Sequence, residues 1–330
     1  MAKRVTMRTI AEELGLAESA VSRALSGKKG VSEETRQRIL AAARRQGYVA
    51  KQVPSSRTVQ VTLLVERILH EKTYWGKFIN GMVAEIALYD SFLSLVVTDA
   101  SKPFVALPPP LEQVGKIDGV IAVRRTDPRV VQAVRRLGLP VVLVDYIQKS
   151  FPGCDQVMTN GFTGISAIVA ELNRLGHKKF GFVGDLNNQL YRARYESLQS
   201  AIANEGLVPE IKRYLLDGLD AGDELPTALF CPTDKLAAKS VNLLLQKGLR
   251  VPEDISVVGF DDDNEDISQC PIPLTTLHVD QEELGGWAVR TLFQRLNNLN
   301  APPVQVAVGV TPIWRQSCAK PRDGASSEAK

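Results

Sequence analysis

The sequence lacks the features that mark exported, membrane-spanning and disulfide-bonded proteins. Its 330 residues begin with Met1–Thr6 and no apolar leader, so no signal peptide is predicted. No run approaches the roughly 18 apolar residues that a membrane-spanning helix needs. The cysteines are scattered and form no CxxC pair, which predicts reduced thiols rather than disulfides or a metal site. They are Cys154, Cys231, Cys270 and Cys318. We therefore expect a cytoplasmic protein.

Signatures of catalysis are also scarce. The three histidines, His70, His177 and His278, lie far apart, and the chain has no phosphate loop, GxGxxG or GxSxG motif. His177 follows a Leu-Gly pair, where a structural cap is the simpler role. The acidic run at 261–263 is explained more simply by a turn after a strand than by a bound metal. We expect no enzyme, no metal and no cofactor.

Charge is distributed unevenly along the chain. The net charge is +3, but residues 1–58 contain twelve Lys and Arg against five Asp and Glu, and the remainder carries a net charge of −4. This asymmetry predicts a basic module that binds a polyanion, joined to a mildly acidic body. The length is that of two or three domains, and a hydrophobic fraction of 44% allows a sizeable core.

Three short amphipathic helices are predicted in the basic module. The first spans about 7–13 after the N-cap residue Thr6, the second about 18–26, and the third begins after Ser32. Glycines separate them, where turns need residues that tolerate positive φ.

The spacing of small and apolar residues in the first two helices is that of a helix-turn-helix. Ala11 permits a close helix crossing, Gly15 forms the sharp turn, and Val21 packs the second helix on the first. In such a motif the second helix lies in the DNA major groove. Arg23 can pair with a guanine edge, and Glu18 can accept from a cytosine amine. A basic three-helix bundle that binds a protein is the alternative.

Hydroxyl groups and helix N-termini of the module can hold DNA phosphates. The predicted DNA contacts in the module are Thr6, Glu18, Ser19, Ala20, Ser22, Arg23, Ser26, Ser32 and Thr35.

The module resembles the headpiece of the lactose-repressor/galactose-repressor family. The runs that carry the resemblance are Val5–Ala17, Ala20–Gly27, Val31–Arg36 and Gly47–Val49. It implies a helix-turn-helix DNA-binding domain at 1–50 in a transcription regulator that is expected to be a repressor.

The linker at 51–58 departs from the family. Members typically form a hinge helix here that inserts a leucine into the minor groove, whereas Lys51, Pro54 and Arg57 stand where Asn, Ala and that Leu are usual. Because Pro54 would break the middle of a helix, we expect an irregular linker whose Lys51 and Arg57 contact the DNA backbone. A solvated linker without a DNA role is the alternative.

The body, residues 59–316, alternates predicted strands with predicted helices. Strands without strict polar alternation, separated by helices, predict parallel sheets covered on both faces. Two doubly wound α/β lobes fit the length better than one sheet. Predicted strands are 59–65, 92–97, 118–123, 140–144, 178–183, 227–231, 255–259 and 275–279. Predicted helices are 76–89, 129–137, 163–175, 190–205, 234–247 and 281–298.

The family resemblance extends over the body, to about residue 316. The runs concerned are Leu175–Gly184, Pro226–Phe230, Val251–Asp262 and Pro273–Thr276. It implies two lobes like those of a periplasmic sugar-binding protein, with an effector in the cleft between them. The loop at 217–226 is shorter than usual, and a helix is expected to be missing there.

The resemblance also implies the residues that contact the effector. Arg and Asp side chains would bind hydroxyl groups, and first-lobe aromatics would cover an apolar face. The candidates are Tyr74, Trp75, Asp145, Arg192, Arg194, Thr233 and Asp261. The alternatives are an interlobe salt bridge for the Arg194 side chain, a turn or helix cap for Asp261, and plain packing for the aromatics.

Three positions make the cleft less polar than in the family. Thr233 replaces a usual Asn, Val279 a common Gln, and Asn160-Gly161 a common Asp-Asn. We expect a small metabolite as the effector, with a sugar as the candidate, acting by preferring one arrangement of the lobes.

We further expect a homodimer formed through the body, because helix-turn-helix proteins of this kind bind paired half-sites. Residues 317–330 are predicted to be a disordered tail.

Two other functions would suit a two-lobed body: a solute-binding protein without a DNA role, and a carbohydrate kinase fused to a DNA-binding module. The missing leader and the basic module disfavour the first, and the missing phosphate loop disfavours the second.

Overall fold

The protein is described here by a computed structural model, which divides into two compact units, Met1–Arg57 and Thr58–Lys330. The residues whose structure is described are 7–25, 30–32, 34–36, 38–39, 42, 58–66, 72–99, 105–112, 117–123, 126–146, 151–219 and 225–322.

The first unit contains the predicted helix-turn-helix. Helix α1 (Met7–Leu14) and helix α2 (Glu18–Leu25) are joined by a turn in which Gly15 has a φ of +64°. The Leu16 amide donates to the Ala11 carbonyl at 2.9 Å, which reverses the chain between the helices. Residues 34–36, 38–39 and 42 are also helical. The core consists of the buried residues Ile10, Ala11, Val21, Ala24, Ile39 and Ala42.

The second unit alternates strands with helices, as predicted. Its strands are β1 (Gln60–Glu66), β2 (Phe92–Thr98), β3 (Gly119–Val123), β4 (Val141–Val144), β5 (Asp155–Asn160), β6 (Phe180–Val183), β7 (Ile211–Tyr214), β8 (Ala228–Phe230), β9 (Ser256–Val258), β10 (Thr276–His278), β11 (Gln305–Gly309) and β12 (Thr311–Ile313). Its α-helices are α3 (Lys72–Ile86), α4 (Pro109–Glu112), α5 (Pro128–Arg136), α6 (Gly161–Leu175), α7 (Gln189–Asn204), α8 (Asp234–Gln246), α9 (Asn264–Ile267) and α10 (Gln281–Asn297).

The strands form two lobes. The first lobe has a parallel sheet in the order β11-β5-β4-β3-β1-β2, and the second has a parallel sheet in the order β7-β6-β8-β9. The antiparallel pair β10–β12 joins the second sheet through isolated bridges between Val258 and Thr275 and between Asp261 and His278. All residues of β3, β4 and β6 are buried, as expected for strands covered on both faces. The predicted two-lobed doubly wound fold is confirmed.

The chain crosses between the lobes three times. It passes from β5 to α6 at Asn160–Gly161, from β10 to α10 at Val279–Asp280, and from β11 to β12 at Val310. Since β5 and β11 are parallel to the other strands of the first sheet, two crossings leave from its carboxyl edge. The remaining crossing, at Val279–Asp280, leaves β10, whose bridges to the β9 segment are parallel. The carboxyl edges of both sheets therefore adjoin the same hinge.

Several short elements are absent from the sequence predictions. The sequence predictions lack strands β5, β7, β11 and β12 and helices α4 and α9, because such short segments show little periodicity. Between β7 and β8 the described residues contain one 3-10 turn, Leu216–Gly218. Residues 220–224 of this loop lie outside the described part of the chain.

The prediction of a disordered tail from residue 317 is wrong for its first residues. Ser317 is fully buried, donates its hydroxyl to the Val257 carbonyl at 2.6 Å, and accepts from the Val257 amide at 2.8 Å. Ala319 donates its amide to the Ser256 hydroxyl at 3.1 Å. The polar composition suggested disorder, but these residues are held against β9 by one backbone hydrogen bond and by two bonds that use serine hydroxyls. Residues 323–330 lie outside the described part.

Two glycines allow α3 and α10 to touch through their backbones in the first lobe. A side chain at Gly81 would overlap the Glu282 carbonyl, and one at Gly285 would overlap the Phe78 carbonyl. This close helix packing holds α10 firmly against the first lobe. Helix α10 directly follows an interlobe crossing.

We expect Gly285→Ala to destabilise the body by about 1–3 kcal/mol, because the added methyl group forces the two helices apart. The control is Gly76→Ala on α3, where no atom lies within 4 Å of an added Cβ; it should be neutral or stabilising by about 0.5–1 kcal/mol. Urea denaturation measures both, and equal midpoints for the two variants would contradict the packing argument.

His177 binds the C-terminal segment, and its titration makes the free energy of unfolding depend on pH. Its buried ring contacts the Ala319 carbonyl through Nε2 at 2.8 Å, and burial lowers the pKa of the ring below its ordinary value of 6.5. As the pH falls, His177 takes up a proton more readily in the unfolded chain than in the folded chain. The free energy of unfolding therefore decreases as the pH falls below 6.5.

We expect the free energy of unfolding to fall less between about pH 7.5 and about pH 5.5 in His177→Gln than in the unsubstituted protein, because glutamine does not titrate there. Urea midpoints at the two pH values give the comparison. An equal fall in both proteins would show that His177 does not contribute to the acid sensitivity.

Candidate DNA-reading surface and effector cleft

One face of α2 is free of the headpiece core. Val21 and Ala24 are buried, whereas Glu18, Ser19, Ser22 and Arg23 are exposed and Ala20 is half-buried. The helix begins at Glu18, whose carboxylate lies in the first turn where the helix dipole favours a negative charge. The outer face thus offers a carboxylate, two hydroxyls and a guanidinium, which are groups that can read base edges.

Arg23 lies along this face. Its Nε donates to the Ser19 carbonyl at 3.2 Å, and a side chain at Gly30 would lie 3.2 Å from its Nη1. Ser32 and Thr35 bond to each other: the Ser32 hydroxyl accepts from the Thr35 amide at 3.2 Å and contacts the Thr35 hydroxyl at 2.8 Å. Thr6, Ser26, Lys51 and Arg57 were also predicted to contact DNA, and lie outside the described residues.

On the first lobe, Asp145 follows β4 at the carboxyl edge of the sheet. Its carboxylate accepts from the Thr159 amide at 2.6 Å, the Thr159 hydroxyl at 2.9 Å and the Tyr74 hydroxyl at 3.4 Å. Its φ of +46° is in the left-handed region. The surrounding hydrogen bonds hold this residue in a backbone conformation that is common at functional sites.

The aromatic candidates belong mainly to the core of the first lobe. Tyr74 and Trp75 are buried, with ring centroids 5.3 Å apart, and Trp75 packs edge-on against Phe78 at 5.6 Å. This geometry agrees with the packing alternative. The Tyr74 hydroxyl is the group that this pair brings to Asp145.

On the second lobe, Arg194 and Asp261 form an ion pair at the carboxyl edge of the sheet. The Arg194 side chain is 8% exposed, and its Nη2 lies 2.9 Å from Asp261 Oδ1. Its Nη1 donates to the Pro232 carbonyl, and its guanidinium lies 3.5 Å above the centre of the Phe260 ring. Sequence reasoning allowed a salt bridge across the lobes for Arg194, but both partners lie in the second lobe.

Asp261 is also held in an unusual backbone conformation, with a φ of +109°. Its carbonyl accepts from the side-chain amide of the buried Gln281 at 3.3 Å and from the Val279 amide at 3.4 Å. Two aspartates with left-handed backbones, Asp145 and Asp261, therefore stand at the sheet edges that adjoin the hinge, where ligands bind in open α/β folds.

The remaining two candidates have structural partners. Arg192 is exposed, and its Nε donates to the Leu186 carbonyl at 2.9 Å. Thr233 is the N-cap of α8, where its hydroxyl accepts from the Leu236 amide at 3.3 Å.

A buried acid supports the second-lobe edge. Asp234 is fully buried, accepts from the Thr276 hydroxyl, and accepts from the Asp263 amide at 2.9 Å. Burial, and secondarily the negative charge of Asp261, raise the pKa of Asp234 well above its usual value. Asp262 accepts from Arg315 at 2.8 Å and contacts His278 Nδ1 at 3.0 Å.

Sequence reasoning missed Thr159, Phe260 and Gln281 as parts of the site. Phe260 could have been found, because it lies between the glycine and the aspartate of the Gly-Phe-Asp-Asp run. Nothing local marks Thr159 or Gln281, whose partners are distant in sequence.

Comparison with known proteins agrees with this architecture. The family profile described as bacterial regulatory proteins, lacI family, matches residues 6–51, and a periplasmic binding protein-like domain matches residues 169–318. A similar curated protein is the HTH-type transcriptional repressor PurR of Haemophilus influenzae (strain PittEE), 28% identical over 93% of this chain and 96% of the relative.

The chain belongs to the LacI family of bacterial regulatory proteins. It is a DNA-binding transcription regulator. Similar solved structures include the lac repressor dimer bound to operator and the anti-inducer ONPF, with a TM-score of 0.64, 22% identity, and coverage of 96% of this chain and 100% of that one. Another is the complex of the transcriptional regulator CelR with cellobiose, with a TM-score of 0.63, 22% identity, and coverage of 95% and 100%. Among the described residues of this LacI-family regulator, no helix is both long and apolar enough to cross a membrane.

Proposed function

We propose that this regulator acts in the cytoplasm as a repressor that binds operator DNA as a homodimer, and that a small metabolite in the interlobe cleft controls its affinity for DNA. We assign residues 1–50 to DNA binding, 51–58 to the linker, and 59–316 to effector binding and dimerisation, with Ser317 and Ala319 bound to the body through β9. The observation that carries the DNA-binding part is the outer face of α2, with its exposed Glu18 and Arg23.

Arg23 is proposed as a base-reading residue, because a guanidinium on the recognition helix can bind both acceptors of a guanine edge. Glu18 and Ser19 lie one turn earlier on the same face and would read neighbouring bases. The repressor named PurR is a relative over nearly the full length of this chain, which supports the direction of regulation.

We expect Arg23→Ala to weaken binding to the preferred operator by about 1–3 kcal/mol and to relax the preference at one base position per half-site. Selection of bound DNA from a random pool, followed by binding measurements at fixed salt, tests this. Arg8→Ala is the control, since Arg8 is exposed on α1 and pairs with Glu12 at 3.0 Å; it should leave base preference unchanged. An unchanged base preference in Arg23→Ala would refute the assignment.

A dimer interface on the first lobe is supported by apolar side chains at the edge of the sheet. Strand β2 is an edge strand, and Val83 of α3 and Phe92, Leu95 and Val97 of β2 are each at least half exposed. Exposed apolar groups of this kind mark interaction surfaces. A symmetric dimer requires inverted half-sites, so the same DNA selection should return paired, inverted sequences.

Effector binding is supported by the two strained aspartates at the carboxyl edges that adjoin the hinge. Carboxylates and a guanidinium held rigidly by second partners can bind hydroxyl groups with little ordering cost. Among structural neighbours, CelR is complexed with cellobiose, and a LacI-family regulator from Enterococcus faecium has bound ribose. We propose a small polyhydroxylated metabolite, such as a sugar, for this chain.

We expect one member of a sugar panel to raise the melting temperature of the protein, since a ligand at about 100 times its Kd stabilises by about 2.7 kcal/mol. Asp145→Asn should reduce that shift. The control is Asp90→Asn, because Asp90 is also left-handed, with φ +49°, but is exposed at the end of a 3-10 turn away from β4.

A shift produced only by another metabolite class would exclude a sugar, and no shift with any class would contradict effector control. An equal reduction in both aspartate variants would remove Asp145 from the site.

A further inference from the structure

Phe260 lies between the ion pair of the second lobe and the first interlobe crossing. Its side chain is fully buried, with the Arg194 guanidinium 3.5 Å from the ring centre. A Cβ atom at Gly161 would lie 3.2 Å from Cε2 and Cζ of the ring. The ring thus contacts both a cleft residue and the backbone at which the chain enters the second lobe.

The next residue ties the same strand to the second crossing. The Asp261 amide donates to the Leu277 carbonyl at 2.9 Å, and the Asp261 carbonyl accepts from Val279 and Gln281. The crossing from β10 to α10 is therefore hydrogen-bonded to the residue that pairs with Arg194.

The third crossing packs on the first. A side chain at Gly164, in the first turn of α6, would overlap the Val310 side chain and lie 2.8 Å from Leu277 Cδ2. Each crossing is thus in contact with another, and the pair Phe260–Asp261 joins two of them to Arg194.

We infer that Phe260 is a positioning residue that transmits the state of the Arg194–Asp261 pair to the hinge and so sets the arrangement of the two lobes. A group that draws Arg194 away from Asp261 also lifts the guanidinium from the ring, which frees the ring to move against Gly161. The signalling part of this inference rests on the proposed effector function. The mechanical part, that Phe260 holds the crossings in place, concerns the protein without a ligand.

The chemistry of the residue types explains why this arrangement is specific. A planar guanidinium can stack face to face on a ring while its in-plane N–H groups bind a carboxylate, whereas an ammonium group has no plane that could stack. Gly161 leaves room for the ring edge at the crossing, where any side chain would have to displace it.

Hydrogen exchange of the full chain, without ligand, tests the mechanical part. We expect Phe260→Leu to raise exchange at the crossings, residues 160–164 and 277–281, by roughly 3- to 30-fold. Amides of β6 and β8 should be unchanged. Arg194→Lys should show the same selective pattern, because it keeps the charge and loses the stacking.

The matched control is Phe230→Leu, since Phe230 is also buried in the second lobe and stacks on Phe182 at 6.1 Å. It should raise exchange across the sheet without selectivity for the crossings. A uniform increase in Phe260→Leu, or none at the crossings, would overturn the inference.

The outcome is separable from that of the proposed function. Selective exchange at the crossings together with no metabolite binding would retain the hinge role and reject effector control. Metabolite binding together with uniform exchange in Phe260→Leu would retain effector control and reject the hinge role.

Discussion

The arrangement of the body depends on the ion pair between Arg194 and Asp261 and on the residues that this pair holds in place. The pair lies at 2.9 Å with little exposure of the Arg194 side chain. An ion pair withdrawn from water is stable only when its remaining hydrogen-bonding groups find partners. The Pro232 carbonyl and the Phe260 ring supply those partners on one side, and the second crossing binds the Asp261 backbone on the other.

This arrangement changes the chemistry expected of the cleft. Arg194 and Asp145 each have protein partners, so a ligand gains only the difference between its own contacts and those it displaces. Such competition is what couples binding to conformation, because a ligand shifts an equilibrium only by its differential affinity for the two states. A ligand of the proposed cleft would have to exchange this specific set of contacts.

In the headpiece, by contrast, residue types at short spacing are sufficient to explain the structure. Among its described residues the core has six buried side chains, none larger than isoleucine, and small residues such as Ala11 and Ala24 permit the close packing of short helices. The outer face of α2 does not contribute to this core. Glu18 and Arg23 are exposed on that face.

The sequence by itself determined the helix-turn-helix, the alternation of strands and helices, and the two-lobed fold. These features depend on periodicity and on residue types at short spacing, such as Gly15 between two amphipathic helices. Only the tertiary structure decided which groups meet: Arg194 finds Asp261 across 67 residues, and His177 finds Ala319 across 142. Residues 317–319 look disordered by composition, yet Ser317 and Ala319 are hydrogen-bonded to β9. A polar partner that is distant in sequence is selected by the folded geometry, and no local pattern encodes it.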